Sequence, residues 1–419
     1  MTTIFRTYSL GVSTNRDAVV YDFDAKRLAQ RVEQFAENYN AELNRWQKKG
    51  RPDDVDNFVN YEKLKWSRNL KRWFRQEEEL KFDANDIRDS AYRPFTRLKL
   101  HFARMFVDEV GTSETLVPNK KAAGENKILC ANVTVERPFC CLMTNFIPNL
   151  VYTGGFGCAT YALSLFTYSE DGKERRDNIT SKALTLFQIF YDDDSITREN
   201  IFHYIYALLH HPAYRNRFAE NLKRELPRIP FVGVGRVAPR APSPAKSPDG
   251  AHGVTRPTFY PLSAIEKMKG DAEPVHNPKA SAKLFHAFAD VGKKLADLHV
   301  NYESAEEYKL ERIENKEAKL DWRVETMKLS KDKTSLFYND FLTLSGIPAE
   351  TFHYRLGNRS ALEWVIDQYR VAKDEQGNLT SDPNRMEDEE YIVRLIGQVI
   401  TVSLETQKLI STLPEITFE

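Results

Sequence analysis

The stretch Arg175–Val234 reads RRDNITSKALTLFQIFYDDDSITRENIFHYIYALLHHPAYRNRFAENLKRELPRIPFVGV, and its periodicity decides the fold class. Ile201, Tyr204, Ile205, Leu208 and Leu209 recur at the spacing of one helical face. Thr197 offers an N-cap hydroxyl, and Glu199 places an acid in the first turn, where the helix dipole favours negative charge. Pro212 suits the first position of a following helix, where the N–H it lacks would have no intrahelical partner. Tyr214, Phe218 and Leu222 then face one way, and Pro227 ends the run. Arg228–Val234 reads as a short buried strand. A helical hairpin feeding a strand is a core element, and the flanking segments must supply partners for its apolar faces. The expected class is α+β, with a β-rich core, helical hairpins and a helical C-terminal part.

Upstream, Ile4–Leu10 and Ala18–Tyr21 flank the polar turn Ser13–Asp17 and read as two strands, or a strand and a loop. A chain that opens directly in such a segment reads as a piece of something longer. From Asp24 the pattern turns helical: Leu28, Val32, Phe35, Tyr39, Leu43 and Trp46 step by three or four until Gly50-Arg51-Pro52 breaks the run. Residues 63–75, KLKWSRNLKRWFR, hold six cations and no acid. On a helix, Trp66, Leu70, Trp73 and Phe74 form an apolar stripe, and the cations line either a solvated face or one that contacts phosphates. Residues 91–170 are rich in β-branched and aromatic residues punctuated by Gly and Pro, which predicts about five to seven strands. Within them Arg97, Lys99 and His101 alternate with Leu98, Leu100 and Phe102. They would share one sheet face, either an ordinary wet face or one lying on a nucleic-acid backbone.

After the hairpin, RVAPRAPSPAKSPDGAHGVTRP is rich in Pro, Ala and Ser and reads as a loop. Leu284, Phe285, Phe288, Val291, Leu295 and Leu298 mark a helix beyond it. The heavily charged stretch 301–333 is expected to be helical as well. Two more helices begin at Ser360 and near Glu389. The expected organisation is a strand–helix lead-in with a basic helix over 1–90, an α+β core over 91–235, a Pro-rich loop over 236–280 and a mainly helical part over 281–419.

Equal numbers of basic and acidic residues, 60 of each, mean that a nucleic-acid surface must be local rather than global. No apolar run approaches the length of a membrane span and no signal core follows Met1, so a cytoplasmic protein is expected. Cys130, Cys140, Cys141 and Cys158 lack the spacing of a zinc site. Phe231–Gly235 copies an F-x-G-x-G cofactor loop, but prolines replace the helix that must follow it. The glycine-rich turn Thr153–Gly157 lacks a phosphate-binding lysine. Asp192–Asp194 sits just before a helix start, where acids favour the dipole, and His203 and His210 read as partly buried helix residues. No nucleophile with a base at a familiar spacing is present, so no catalytic residue and no metal site is assigned.

Several segments together resemble the C-terminal specificity region of type ISP restriction–modification enzymes: IFRTYSLGVSTNRDAVVYDF, SAYRPFTRLKLHF, RRDNITSKAL, ENIFHYIYALLHHPAYRNRFAENLKRELPRIPF, FADVGKKLADLHVNYE and RLGNRSALEWVIDQYRV. In that family one long polypeptide carries a nuclease, a translocase, an adenine-N6 methyltransferase and a target-recognition domain. The resemblance implies that this chain is either an excised recognition domain or a separate specificity subunit, which reads an asymmetric site in double-stranded DNA. It would present an adenine to a partner methyltransferase that flips the base out. No cofactor is implied for this chain; S-adenosylmethionine belongs to the partner methyltransferase. The expected DNA-contacting residues are Asn15, Arg16, Lys65, Arg68, Lys71, Arg72, Arg93, Arg97, Lys99, Arg355, Asn358 and Arg359, as phosphate or base-edge donors. Residues shared by proteins that read different sites cannot set the site, so base reading is expected in 108–126 or 236–280. The alternative is a scaffold that docks a partner enzyme through the charged 301–333 helix, with DNA contact incidental.

Overall fold

The strand Ile128–Asn132 sits inside a four-stranded antiparallel sheet, between Thr160–Ser164 and Cys141–Thr144, with Ser9–Leu10 at the far edge. All five of its residues are buried. Successive strand side chains point to opposite faces. Ile128 and Cys130 therefore enter one apolar core, and Leu129 and Ala131 enter another. Neighbouring strands divide the same way, with Leu142 and Ala162 on the first side and Cys141, Met143 and Leu163 on the second. The sheet is a wall between two cores, which is why its strands read as continuous apolar runs. The computed structural model describes residues 1–155, 157–169, 171–235, 256–260, 276–374, 377 and 379–416.

The second core is built on the stretch quoted above. Helices Ser181–Tyr191, Arg198–His210 and Pro212–Arg217 lead to the strand Phe231–Gly235. Thr197 and Asn200 form a capping box, and Pro212 opens its helix as expected. The amphipathic reading of Arg198–His210 was too narrow, because every residue from Ile201 to His210 is buried. The cause is the helix Pro278–Val300, which crosses it closely. A Cβ on Gly292 would stand 1.9 Å from the His203 carbonyl oxygen, so only glycine admits that approach. Phe231–Gly235 pairs antiparallel with Arg256–Tyr260, and the residues directly after it, where a cofactor-binding helix would have to begin, lie outside the described residues. Phe231 packs on Phe187 and Phe190, with ring centroids 4.5 and 4.9 Å apart.

The first core wraps the helix Ala25–Lys48, on which Leu28, Val32, Phe35, Tyr39, Leu43 and Trp46 are all buried. Asp24 caps it by accepting from the Arg27 N–H. Beside it lies a second sheet, in the order Tyr21–Asp22, Thr96–His101, Ile87–Arg93, Ile147–Pro148. Helices Ala361–Gln368 and Tyr391–Ser411 complete this core from the other end of the chain. Ser360 and Glu363 form the capping box of the first of these.

The charged stretch 301–333 corrects the sequence reading: it is not an α-helix. It contains a short turn of helix at Tyr302–Ser304 and the strands Glu311–Glu314 and Lys328–Leu329. Those strands are the two edges of a four-stranded antiparallel sheet completed by Ser335–Phe337 and Leu342–Ser345. Charged residues suit exposed edges, and the apolar side chains needed to mark a sheet lie downstream, at Leu336, Leu342 and Leu344. Both cores run across the expected segment boundaries. The first joins Val12 to Val402, and the second joins Met1 to Ile416. Apart from Arg256–Tyr260 and the residues from His276 on, the Pro-rich stretch 236–280 lies outside the described residues.

Candidate nucleic-acid interface

Asp108 organises the first group of expected contacts. It accepts from Arg16 Nη2 at 2.9 Å, from Asn15 Nδ2 at 2.7 Å and from Ser67 Oγ at 2.6 Å, while its backbone oxygen accepts from Asn69 at 2.7 Å. Ser67 in turn caps the helix Arg68–Arg75. Arg16 is only 3% exposed and also donates to the Phe106 carbonyl at 2.7 Å. Burial pulls its guanidinium below the usual value, and Asp108 offsets part of that. Arg16 is thus withdrawn from the DNA-contacting set: it pins the Ser13–Arg16 turn to the start of the basic helix. Asn15 is exposed, with its amide committed to Asp108.

The basic helix is shorter than the periodicity predicts, beginning at Arg68. Trp66, Leu70 and Phe74 are buried, with Trp66 on Tyr39 and Phe74 on Tyr39 and Trp46, and half-buried Trp73 falls off that stripe. Lys71 and Arg75 pair with Asp56 at the surface, and that contact holds the Lys71 ammonium above its usual value. Lys65, Arg68 and Arg72 face outward, exposed, and no carboxylate among the described residues pairs with them. Arg72 lies over the Trp73 ring at 4.9 Å. Arg68 and Arg72 are four residues apart and so share one helix face.

The expected positive sheet face is not assembled as a single surface. His101 is fully buried, with its ring stacked on Phe82 at 5.5 Å. Arg97 donates to the Val300 carbonyl at 2.6 Å and pairs with Glu303 at 3.2 Å, tying the sheet to the end of the helix Pro278–Val300. Arg93 is held by the Tyr92 carbonyl at 2.6 Å and by Asn149 Oδ1 at 2.9 Å. Lys99 pairs with Asp89 at 2.6 Å and is more exposed than Arg97 or Arg93. At the other end of the chain, Arg355 and Asn358 are exposed on a hairpin turned by Gly357, whose φ is +67°. Arg359 beside them pairs with Asp367 at 3.0 Å and lies over Trp364.

The other motifs resolve into packing. Gly155 lies under Trp364, where a Cβ would meet the indole at 3.2 Å. Asp193 accepts from Ser195 Oγ at 2.6 Å and pairs with His286 at 2.8 Å. His210 is bonded to the Tyr206 carbonyl, and His299 bridges Tyr206 and Thr406 at 2.6 and 2.8 Å. No group of three His, Cys, Asp or Glu residues able to hold a metal occurs among the described residues. No helix of the described residues is long and apolar enough to cross a membrane.

Sequence reasoning missed a cationic cleft. Lys26, Arg88, Lys99 and Lys120 line a hollow of about 400 Å³ between the start of the helix Ala25–Lys48, the second sheet and the short helix Lys120–Glu125. These four cations are spread along 95 residues, so no local pattern could gather them.

A sequence profile of the Type ISP C-terminal specificity domain matches residues 3–237 and 278–395. Among curated proteins none matches. The fold is similar to part of a nuclease-deletion mutant of the Type ISP restriction–modification enzyme LlaGI in complex with a DNA substrate mimic. That likeness has a TM-score of 0.74 and 28% identity over 99% of this chain and 33% of that one. A DrdV–DNA complex gives the same score and identity, over 99% and 36% of the two chains. The Type ISP enzyme LlaBIII bound to DNA shares the fold at a TM-score of 0.76, with 22% identity over 99% of this chain and 24% of that one. The chain thus spans about a third of the length of the LlaGI deletion mutant and of the DrdV chain. By the extent of the profile match, the chain belongs to the family of Type ISP C-terminal specificity domains.

Proposed function

We propose that this chain is a sequence-recognition module for double-stranded DNA that directs an adenine-N6 methyltransferase or restriction complex. One observation carries the reading: almost the whole chain is similar, at 28% identity, to a region of enzymes solved on DNA. The outward row Lys65, Arg68 and Arg72 supports it as a phosphate-facing surface, since cations near a duplex gain from counterion release. Arg355 and Asn358 on their hairpin are further exposed candidates, beside exposed Asn15 and part-exposed Lys99. Methyl transfer, translocation and cleavage are assigned to partner domains or subunits, and S-adenosylmethionine would be held there rather than by this chain. Selection of bound duplexes from a random library tests the proposal. Enrichment of one asymmetric site is the expected outcome, and recovery of unenriched DNA would sink it.

A protein-docking role for another face has its own support. A groove of about 1080 Å³ between the start of the helix Ala25–Lys48 and the segments around 320–323 and 382–389 carries exposed Leu320 and Met386 beside Trp322. Its cations and carboxylates balance, which suits a protein surface better than a polyanion.

A further inference from the structure

The cleft that sequence reasoning missed adjoins that balanced groove, with Lys26 and Lys99 between them, and differs from it in its charge. Its floor is apolar, formed by Ala29, Ile87, Ala123 and Phe146. Around it stand Lys26, Arg88, Lys99 and Lys120 against a single carboxylate, Asp89. Asp89 is taken by Lys99 at 2.6 Å. Arg88 is braced by the carbonyls of Val117 and Pro118 at 3.1 and 2.8 Å, and the nearby Glu114 carboxylate is itself paired with Arg104. Lys26 and Lys120 are exposed and have no carboxylate partner among the described residues. A ligand that satisfies this site needs a flat apolar body and an anionic group. Its volume of about 400 Å³ falls within the common range of small-molecule sites.

We propose that this cleft seats a single nucleotide, with its base on the apolar floor and its phosphate on the lysine rim. Part of the wall, Val117 to Ala123, belongs to the 108–126 stretch in which base reading was expected. Aromatic and apolar surfaces take unstacked bases, and flanking cations take their phosphates. As to source, the inference rests on the DNA-recognition reading: the nucleotide is one everted from the bound duplex. A free mononucleotide has the same chemistry, and the experiment separates the two.

The test uses the full chain with two probes, 2-aminopurine deoxyriboside 5′-monophosphate and a duplex carrying 2-aminopurine opposite an abasic position, each followed by emission. Wild-type duplex binding is measured in parallel by anisotropy. Saturable binding of the nucleotide is expected, and the double variant Lys26→Glu, Lys120→Glu weakens it by about tenfold or more, because phosphate then meets like charge. Ala29→Phe, which fills the floor, abolishes it; the melting temperature of each variant verifies folding. A signal sensitive to Ala29→Phe in the duplex arm assigns the source to everted DNA, and one confined to the free nucleotide assigns it to the mononucleotide. If the duplex binds but neither probe gives a signal that Ala29→Phe removes, the cleft proposal is overturned while DNA recognition stands. Nucleotide binding without any duplex binding would do the reverse.

Discussion

Replacing Lys65, Arg68 and Arg72 together by Gln is the sharpest probe of the proposed interface. Each is exposed and lacks a carboxylate partner among the described residues, so little intramolecular energy is lost. If all three neutralise phosphates, the slope of log K against log salt becomes shallower by about 2.7, at roughly 0.9 per contact. Between 50 and 200 mM salt the wild type should then lose about 40-fold more affinity than the variant. The matched control is Lys71→Gln with Arg75→Gln, which breaks the pairs with Asp56. Those side chains are already engaged, so the slope should move by well under one contact each. The assay is fluorescence anisotropy of a random-sequence duplex titrated at several salt concentrations, with melting temperature as the check on folding. An unchanged slope in the triple variant, with melting intact, would refute the assignment of this helix face to DNA. A larger change in the control pair would refute the argument from pairing.

Arg16→Met should cost about 3–5 kcal/mol of stability, because it strips a buried guanidinium from Asp108, and should leave the salt slope unchanged. Urea unfolding measures the first and the anisotropy titration the second; near-native stability with a lost contact would reverse the reading. Gly292→Ala should destabilise despite a gain of about 1 kcal/mol in helix propensity, since its Cβ would overlap the His203 carbonyl and force two packed helices apart. A variant that melts at or above the wild type would show that the crossing tolerates the shift. Burial pushes His299 down to about 3 and His203 down to about 4, assisted by the charges of Arg215 and Lys127 respectively. Folding therefore keeps both neutral where the unfolded chain takes up protons near pH 6.5. Their contribution is full above that value and lost as pH falls through it, by about 2 kcal/mol each at pH 5. Replacing His299 by Gln should flatten the stability profile between pH 7 and 5, and an equally steep profile would contradict this.

The elements on which local pattern and tertiary demand agree were legible in the sequence. The helix Ala25–Lys48 buries the six residues its spacing marks, and the capping residues Asp24, Thr197 and Ser360 stand at the helix starts. Among the described residues, seven strands occur between Ile87 and Tyr168, in keeping with the β-rich reading of that region. The 301–333 stretch misled because its charges line sheet edges, and the partner strands that define the sheet come later in the chain. Of the twelve nominated contacts, composition alone could not tell Arg16 or Lys71 from Lys65, Arg68 or Arg72. All are cations, and what separates them is whether Asp108 or Asp56 folds back upon them.

The sequence by itself determined the long amphipathic helices, the β-rich middle and the family resemblance, because these depend on periodicities and segments that are contiguous in the chain. Only the tertiary structure decided which charges are free and which clefts exist. A charge is free or spent according to its nearest opposite charge in space, and Coulomb attraction at a few ångströms takes no account of separation along the chain.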